Sequence, residues 1–518
     1  MNARNEVLRT LIAASEEKVS HYARLLADEE ARLAQLQTEL RAFCYPIHTL
    51  PLEIILEILI HCMPTDHERV LYRLSTTPTP WVRIAPRLLT HVCGRWRHIV
   101  LSTPQFWSQL HIELSFRVGE SELADHLERS AGIPLNVTIS GGLRTELVEN
   151  DDEEETQEFL LLPSFLSRHS RMFARYCNRI RDLKLSLDSQ TAVAFDAEVC
   201  GFSSPFPHFA VLETVVFEDG LQTATAPLQM LRFTPRLVEV AGFDINAATI
   251  QLPWAQLTQY RGQLGPTAVA SARLLDLMVN LRMASLNTDE NLLDELPASP
   301  ITHPTLEILH IKGWNPPAVL QFLAAPALQS LSVESSNGET THTMLGRFLR
   351  QTPSLVSFRL HVQLFYSPGV SNFLGGLFEN TPGLQEFHLN PPIHAIFDEL
   401  CEALSGPYLP HLAKLTITSV NQTDSRLFAD IIRQIVSTIR RRQSLIPSVA
   451  LLRSLKVCVG LRGIDQTFFF TPPKIDDRFM SLALDDRDLA FLQELQAGGL
   501  LVDIGLAVSS FREIKLRL

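Results

Sequence analysis

Residues 304 to 311 read Pro304-Thr305-Leu306-Glu307-Ile308-Leu309-His310-Ile311. One apolar residue, two variable ones and an apolar–polar–apolar triplet is the spacing of a short strand that buries one face. The unit returns at Leu328-Gln329-Ser330-Leu331-Ser332-Val333, Leu355-Val356-Ser357-Phe358-Arg359-Leu360, Leu384-Gln385-Glu386-Phe387-His388-Leu389 and Leu412-Ala413-Lys414-Leu415-Thr416-Ile417. A proline precedes each copy: Pro304, Pro326, Pro353, Pro382 and Pro410. Weaker copies stand at Ile180 to Leu185, Leu212 to Phe217 and Leu452 to Val457. Through the middle the starts fall roughly 22 to 29 residues apart, the leucine-rich range. Helical patterns separate them, among them Met344 to Arg350, Phe373 to Glu379, Ile396 to Leu404 and Leu427 to Ile439. One strand and one helix per repeat implies a parallel sheet on one face and helices on the other. An ordinary α/β domain would give no reason for five consecutive copies to hold both phase and proline. The asparagine that usually follows the strand in leucine-rich proteins is missing; Trp314, Ser336, Gln363, Pro392 and Val420 stand there, so the repeat is irregular.

Alternation along these strands sorts their residues. Leu309, Ile311, Leu331, Val333, Phe358, Leu360, Phe387, Leu389, Leu415 and Ile417 are predicted to face the core. The other face then carries His310, Ser330, Ser332, Ser357, Arg359, His361, Glu386, His388, Lys414 and Thr416 as one polar strip. Arg359, His361, Glu386, His388, Lys414 and Thr416 are the candidates for holding a polar protein segment, because the strip mixes both signs of charge.

Upstream of the repeats, residues 3 to about 43 read as one long helix, in a stretch 1–45 without proline. Leu8, Leu11, Val19, Tyr22, Leu26, Leu33, Leu36, Leu40 and Phe43 form a heptad seam, with Ser15 and Glu29 in its two polar positions. Two readings stand: self-association through a short coiled coil, or an amphipathic helix packed on the body. Residues 46–110 form a second unit. Its helix begins at Leu50-Pro51 and is apolar on most sides through Ile54, Ile55, Ile58 and Leu59, so burial on more than one side is expected. A proline-broken stretch near 62–85 follows. Pro86 then opens a further helix through Leu88, Val92, Cys93, Trp96 and Val100, ahead of a short strand at Leu110 to Leu114. The repeat domain, 111–518, carries an acidic run near 146–158 that reads as a solvated loop.

The chain of 518 residues carries a net charge of −12, which argues against a nucleic-acid binder. The seven cysteines are scattered and never spaced as C-x-x-C, as free thiols in a reducing compartment would be. With no signal peptide and no apolar run of about 18 residues, a cytoplasmic or nuclear protein without a membrane segment is expected. Arg440-Arg441-Arg442 falls at the end of a helical pattern, where cations complement the helix dipole. No phosphate loop, nucleophile elbow or metal-ligand spacing occurs, so neither catalysis nor a cofactor nor a metal is expected.

The segment from residue 50 to residue 107 resembles the F-box family, of the fungal type with a helix before the module and irregular leucine-rich repeats after it. The matching features are Leu50-Pro51-Leu52-Glu53-Ile54-Ile55, Val92-Cys93-Gly94-Arg95-Trp96 and Phe106-Trp107. The family joins its first two helices tightly; here about 20 residues intervene, a cheap insertion for a surface loop. The resemblance implies an α plus α/β architecture and a docking module for a Skp-family adaptor, which tethers it to a cullin–RING ubiquitin ligase. Leu50, Pro51, Glu53, Ile54, Ile58, Leu59, Val92 and Trp96 are the implied adaptor-binding residues, and the repeats would hold an unknown protein target. The alternative is a scaffolding repeat protein whose module serves no ligase.

Overall fold

The computed structural model describes residues 2–42, 47, 50–63, 86–114, 120–141, 145–146, 157–158, 163–202, 207–218, 226–242, 245, 247–264, 267–288, 299–313, 317–335, 341–362, 373–390, 394–406, 408–422, 433–442, 452–461, 486–508 and 512–516. The stretch 64–85 and the core of the acidic run, 147–156, lie outside them. The chain divides into two compact units, Met1–Trp107 and Ser108–Leu518.

The first unit is helical. Helix α1 (Asn2–Ala42) is continuous, and every described side chain from Arg4 to Glu39 is exposed. The seam residues Leu8, Leu11, Val19, Tyr22, Leu26, Leu33 and Leu36 are thus exposed along it, and Leu40 and Phe43 lie outside the described side chains. Helix α2 (Leu52–His61) starts after Pro51. A 3-10 turn (Arg87–His91) and helix α3 (Gly94–Ser102) follow where one helix through Val92 and Cys93 was expected. The break has a local cause. Cys93 is extended (φ −157, ψ 168), and its thiol accepts the Trp96 N–H at 3.5 Å, so it caps α3 instead of lying inside a helix. Ile55, Leu59, Leu89, Ile99, Val100, Phe106 and Trp107 make the core of this unit. The Trp107 indole N–H donates to the Val100 carbonyl at 2.8 Å, which satisfies its polar edge inside that core.

The second unit is an α/β repeat solenoid. Among the described residues its sheet has fifteen strands in sequence order. They are β1 (Gln109–Glu113), β2 (Leu135–Gly141), β3 (Ile180–Leu187), β4 (Thr214–Phe217) and β5 (Glu239–Gly242). Next come β6 (Gln259–Gln263), β7 (Met283–Thr288), β8 (Ile308–Gly313), β9 (Ser330–Ser335) and β10 (Ser357–Val362). The last five are β11 (Glu386–Asn390), β12 (Lys414–Gln422), β13 (Ser454–Leu461), β14 (Leu501–Val508) and β15 (Arg512–Leu516). Neighbours pair in parallel up to β14, and β15 then pairs antiparallel with β14. Helices return the chain between strands; they include α4 (Glu120–Arg129), α5 (Pro163–Tyr176), α6 (Ser189–Phe202) and α7 (Ala268–Leu277). Further on lie the short α8 (Pro317–Leu320), then α9 (Thr341–Leu349), α10 (Phe373–Glu379), α11 (His394–Ser405), α12 (residues 433–442) and α13 (Asp486–Ala497).

The proline before each unit has a mechanical role. In Thr352-Pro353-Ser354-Leu355 the Leu355 N–H donates to the Thr352 carbonyl at 3.3 Å, a turn with proline at its second position. The same bond joins Leu384 to Thr381 at 3.2 Å and Leu412 to Leu409 at 3.2 Å. The threonine before the proline adds a second function. Its hydroxyl donates back to a late helix carbonyl, Thr352 to Leu349 at 3.1 Å and Thr381 to Leu377 at 3.3 Å, so it ends the helix as the turn begins.

Three more copies, at Leu237, Leu257 and Leu281, complete the series, and each of these leucines is fully buried. Their triplets hide from a pattern search because Gly242, Gly262 and Ala284 replace large apolar residues. Glycine is required at two of these positions. A Cβ on Gly242 would stand 2.6 Å from the Phe217 carbonyl oxygen, and one on Gly262 would stand 2.5 Å from that of Gly242. Where the usual asparagine is absent, Thr288 supplies one cross-strand bond, its hydroxyl donating to the Lys312 carbonyl at 3.3 Å.

Burial follows the alternation. All ten residues assigned to the core face of β8 to β12 are buried, in one cluster that runs from Leu110 to Leu492. The opposite face of these strands is half-buried to exposed. Most parallel sheets are covered on both faces; this one is covered by its described helices on one.

Candidate protein-interaction surfaces

On the helical unit the site question is which side of α2 remains uncovered. Glu53 and Glu57, one turn apart, mark a single charged edge of the helix. The remaining circumference is apolar, yet only Ile55 and Leu59 are fully buried. Ile54 keeps 47% of its surface exposed, and Ile60 is also exposed. The unit therefore covers one arc of a helix whose sequence asks for more. Val92, at the break before α3, is 58% exposed.

The residues implied by the resemblance divide accordingly. Pro51, Glu53, Ile54 and Val92 are exposed, and Ile58 is half-buried. Leu50 and Trp96 pack against the core of the unit. Leu59 lies wholly within that core, because it sits one turn after Ile55 on the inward edge of α2.

On the second unit the polar strip is held in register by the sheet. Arg359 lies opposite His388, His388 opposite Thr416, and Thr416 opposite Lys456. A neighbouring rung carries Lys312, Glu334, His361 and Asn390. Adjacent strands place these side chains about 4.8 Å apart. Ion pairs span the strands: Lys312 to Glu334 at 3.2 Å and Lys414 to Glu386 at 3.6 Å, while the His361 ring stands 3.9 Å from Glu334 and carries charge there only when protonated. Earlier in the sheet Lys184 meets Glu218 at 2.6 Å, and Arg261 pairs with Glu239.

The histidines of the strip are held neutral. Burial, reinforced by the charges of Arg359, of His361 when protonated, of Lys456 and of Lys414, pushes His388 down to about 4. His310 is lowered by burial and by Arg359. His361 is lowered by burial against the opposing pull of Glu334. His388 shares a hydrogen bond of 2.8 Å with the Thr418 hydroxyl. All six candidates on this face (Arg359, His361, Glu386, His388, Lys414 and Thr416) thus fall on adjacent strands of one surface. Lys456 belongs with them and was passed over, although the copy Leu452 to Val457 and the alternation rule together name it. Among the described residues no group of three or more His, Cys, Asp or Glu is placed to hold a metal ion, and no helix is long and apolar enough to cross a membrane.

No protein-family model matches the chain, and no curated protein matches it in sequence. Solved structures that match the chain include two of low identity. One is the leucine-rich repeat-containing protein LegL7 from Legionella pneumophila, at 15% identity and a TM-score of 0.33, covering 65% of this chain and 100% of that one. The other is the complex of Rad7 and Elc1 in yeast, at 12% identity and a TM-score of 0.30, covering 77% of this chain and 94% of that one.

Proposed function

We propose that this chain is a binding protein and not a catalyst: the substrate-recognition subunit of a cullin–RING ubiquitin ligase. In this reading the helical unit is an F-box that docks on a Skp-family adaptor, and the repeat solenoid holds the target protein on its open sheet face. The observation that carries it is helix α2, apolar on most of its circumference and covered by its own unit on one arc. An uncovered apolar arc beside a Leu-Pro-x-Glu start and a Val-Cys-x-x-Trp segment is the surface an adaptor would bury. Ile54 and Val92 are the better contacts to test, since both are exposed while Leu50 helps to pack the unit.

The double variant Ile54→Asp, Val92→Asp should lose the adaptor and retain the fold. A charge placed in an apolar interface costs about 2–5 kcal/mol, which is enough to abolish co-purification of the adaptor and cullin. Circular dichroism on the same sample reports the fold. Adaptor recovered at the level of the unaltered chain would overturn the F-box reading. Adaptor captured without cullin would favour a scaffolding role outside a ligase.

A further inference from the structure

Most basic residues of the open sheet face follow a rule, and Arg359 breaks it. Lys184, Arg261, Lys312 and Lys414 each meet a carboxylate on a neighbouring strand or at its end. Arg282, just before β7, meets Glu307 at 3.7 Å. Arg359 is exposed, and among the described residues no carboxylate lies within ion-pair distance of it. The nearby acids are already engaged: Glu334 by Lys312, and Glu386 by Lys414. The register sets Ser332 on one side of Arg359 and His388 on the other, with Thr416 next beyond.

We infer that Arg359 is the anchor of a carboxylate-binding site on this face, and that the target presents to it an extended acidic peptide segment. The inference rests on the target-binding reading of the open face given above. A guanidinium offers parallel N–H donors that match a carboxylate in a two-point contact. The serine and threonine hydroxyls and the neutral imidazoles beside it supply further hydrogen-bonding groups without competing charge. Lys456 stands on the same rung as Arg359, three strands further on. That separation is about 14 Å at the usual strand spacing, close to two same-side steps along an extended peptide crossing the strands. A peptide anchored on Arg359 and crossing the strands would then pass Lys456 four residues on. Asp503, opposite Lys456 on β14, bounds the site on that side. A polyanion such as nucleic acid fits poorly, because Glu334, Glu386 and Asp503 border the same surface and the chain carries a net charge of −12.

The test is fluorescence anisotropy on the full chain. The probes are a labelled peptide of alternating glutamate and serine, its glutamine counterpart, and a phosphoserine version without glutamate. The glutamate peptide should bind, weaken as salt is raised, and lose about tenfold or more in affinity in Arg359→Ala. Arg359→Lys keeps the charge without the fork and should fall between the two. Three results would each overturn the inference: no binding of the glutamate peptide up to about 1 mM, equal binding of the glutamine peptide, or an affinity that Arg359→Ala leaves unchanged. A phosphoserine peptide that binds where the glutamate one does not would also exclude a carboxylate site. Adaptor co-purification on the same preparations separates the two ideas. Adaptor capture without glutamate binding sinks only this inference, and glutamate binding without adaptor capture sinks only the ligase reading.

Discussion

His388 shows how much a single residue owes to its register. Its ring is half-buried on the sheet face, and the cations around it oppose a further positive charge, so its pKa is held down to about 4 by burial first and by Arg359 next. In a nuclear magnetic resonance titration His388 should therefore stay neutral through the physiological range. Arg359→Ala should raise its midpoint while leaving it below the ordinary histidine value, because burial remains. An unchanged midpoint in that variant would mean that Arg359 does not govern the ring. The sign for stability follows. A base whose pKa is lower folded than unfolded favours the fold fully above the unfolded value near 6.5, and this contribution is lost as the pH falls toward 4. That Arg359 and His388 share a face was legible, since period-two alternation assigns it. That Lys414 has a carboxylate and Arg359 has none among the described residues was not. Such pairing depends on which strands are neighbours and in what register, and Glu386 and Lys414 come from different repeats.

At the scale of elements, the junction between consecutive repeats is fastened by a side chain that was read more blandly. The run Arg440-Arg441-Arg442 ends helix α12, where complementing that helix's own dipole was a sufficient explanation. Arg442 instead is buried and reaches back one repeat. Its guanidinium donates to the carbonyls of Leu404 at 3.1 Å, Tyr408 at 3.1 Å and Leu409 at 2.5 Å, where helix α11 ends and the next turn begins. Burial lowers its pKa from the usual arginine range, but the group remains a cation. Replacing it by methionine keeps much of the volume and leaves buried carbonyls unpaired, at a cost of about 2–4 kcal/mol. The melting temperature of Arg442→Met should fall accordingly, and Arg442→Lys should recover only part of the loss because an ammonium lacks the planar fork. A methionine variant that melts with the unaltered chain would show that the clamp is idle. The turns were far more legible than this clamp. Proline two residues before leucine marks them directly, whereas a cation satisfying carbonyls some 33 to 38 positions away leaves no local trace.

For the whole molecule, the sequence pattern is enough to give one strand per repeat and a sheet with one open face, because the apolar phase recurs. It understates the number of repeats, since glycine and alanine take leucine positions where strand backbones crowd, as at Gly242 and Gly262. Stability in such an array is close to a sum over neighbouring repeats, so the last strand matters beyond its length. Strand β15 reverses direction against β14 and ends the parallel run. An unpaired edge at β14 would offer eight residues, Leu501-Val502-Asp503-Ile504-Gly505-Leu506-Ala507-Val508, with a single charge among them. Strand β15 presents Arg512-Glu513-Ile514-Lys515-Leu516 instead, shorter and with three charges. Removing the chain from Arg512 onward should therefore add self-association, with species in sedimentation velocity that grow with concentration beyond those of the unaltered chain. A truncated chain that sediments as one species at every concentration would contradict this. The antiparallel strand β15 is, in that light, a guard against polymerisation: without it, the β14 edge would be a template on which another copy could continue the sheet.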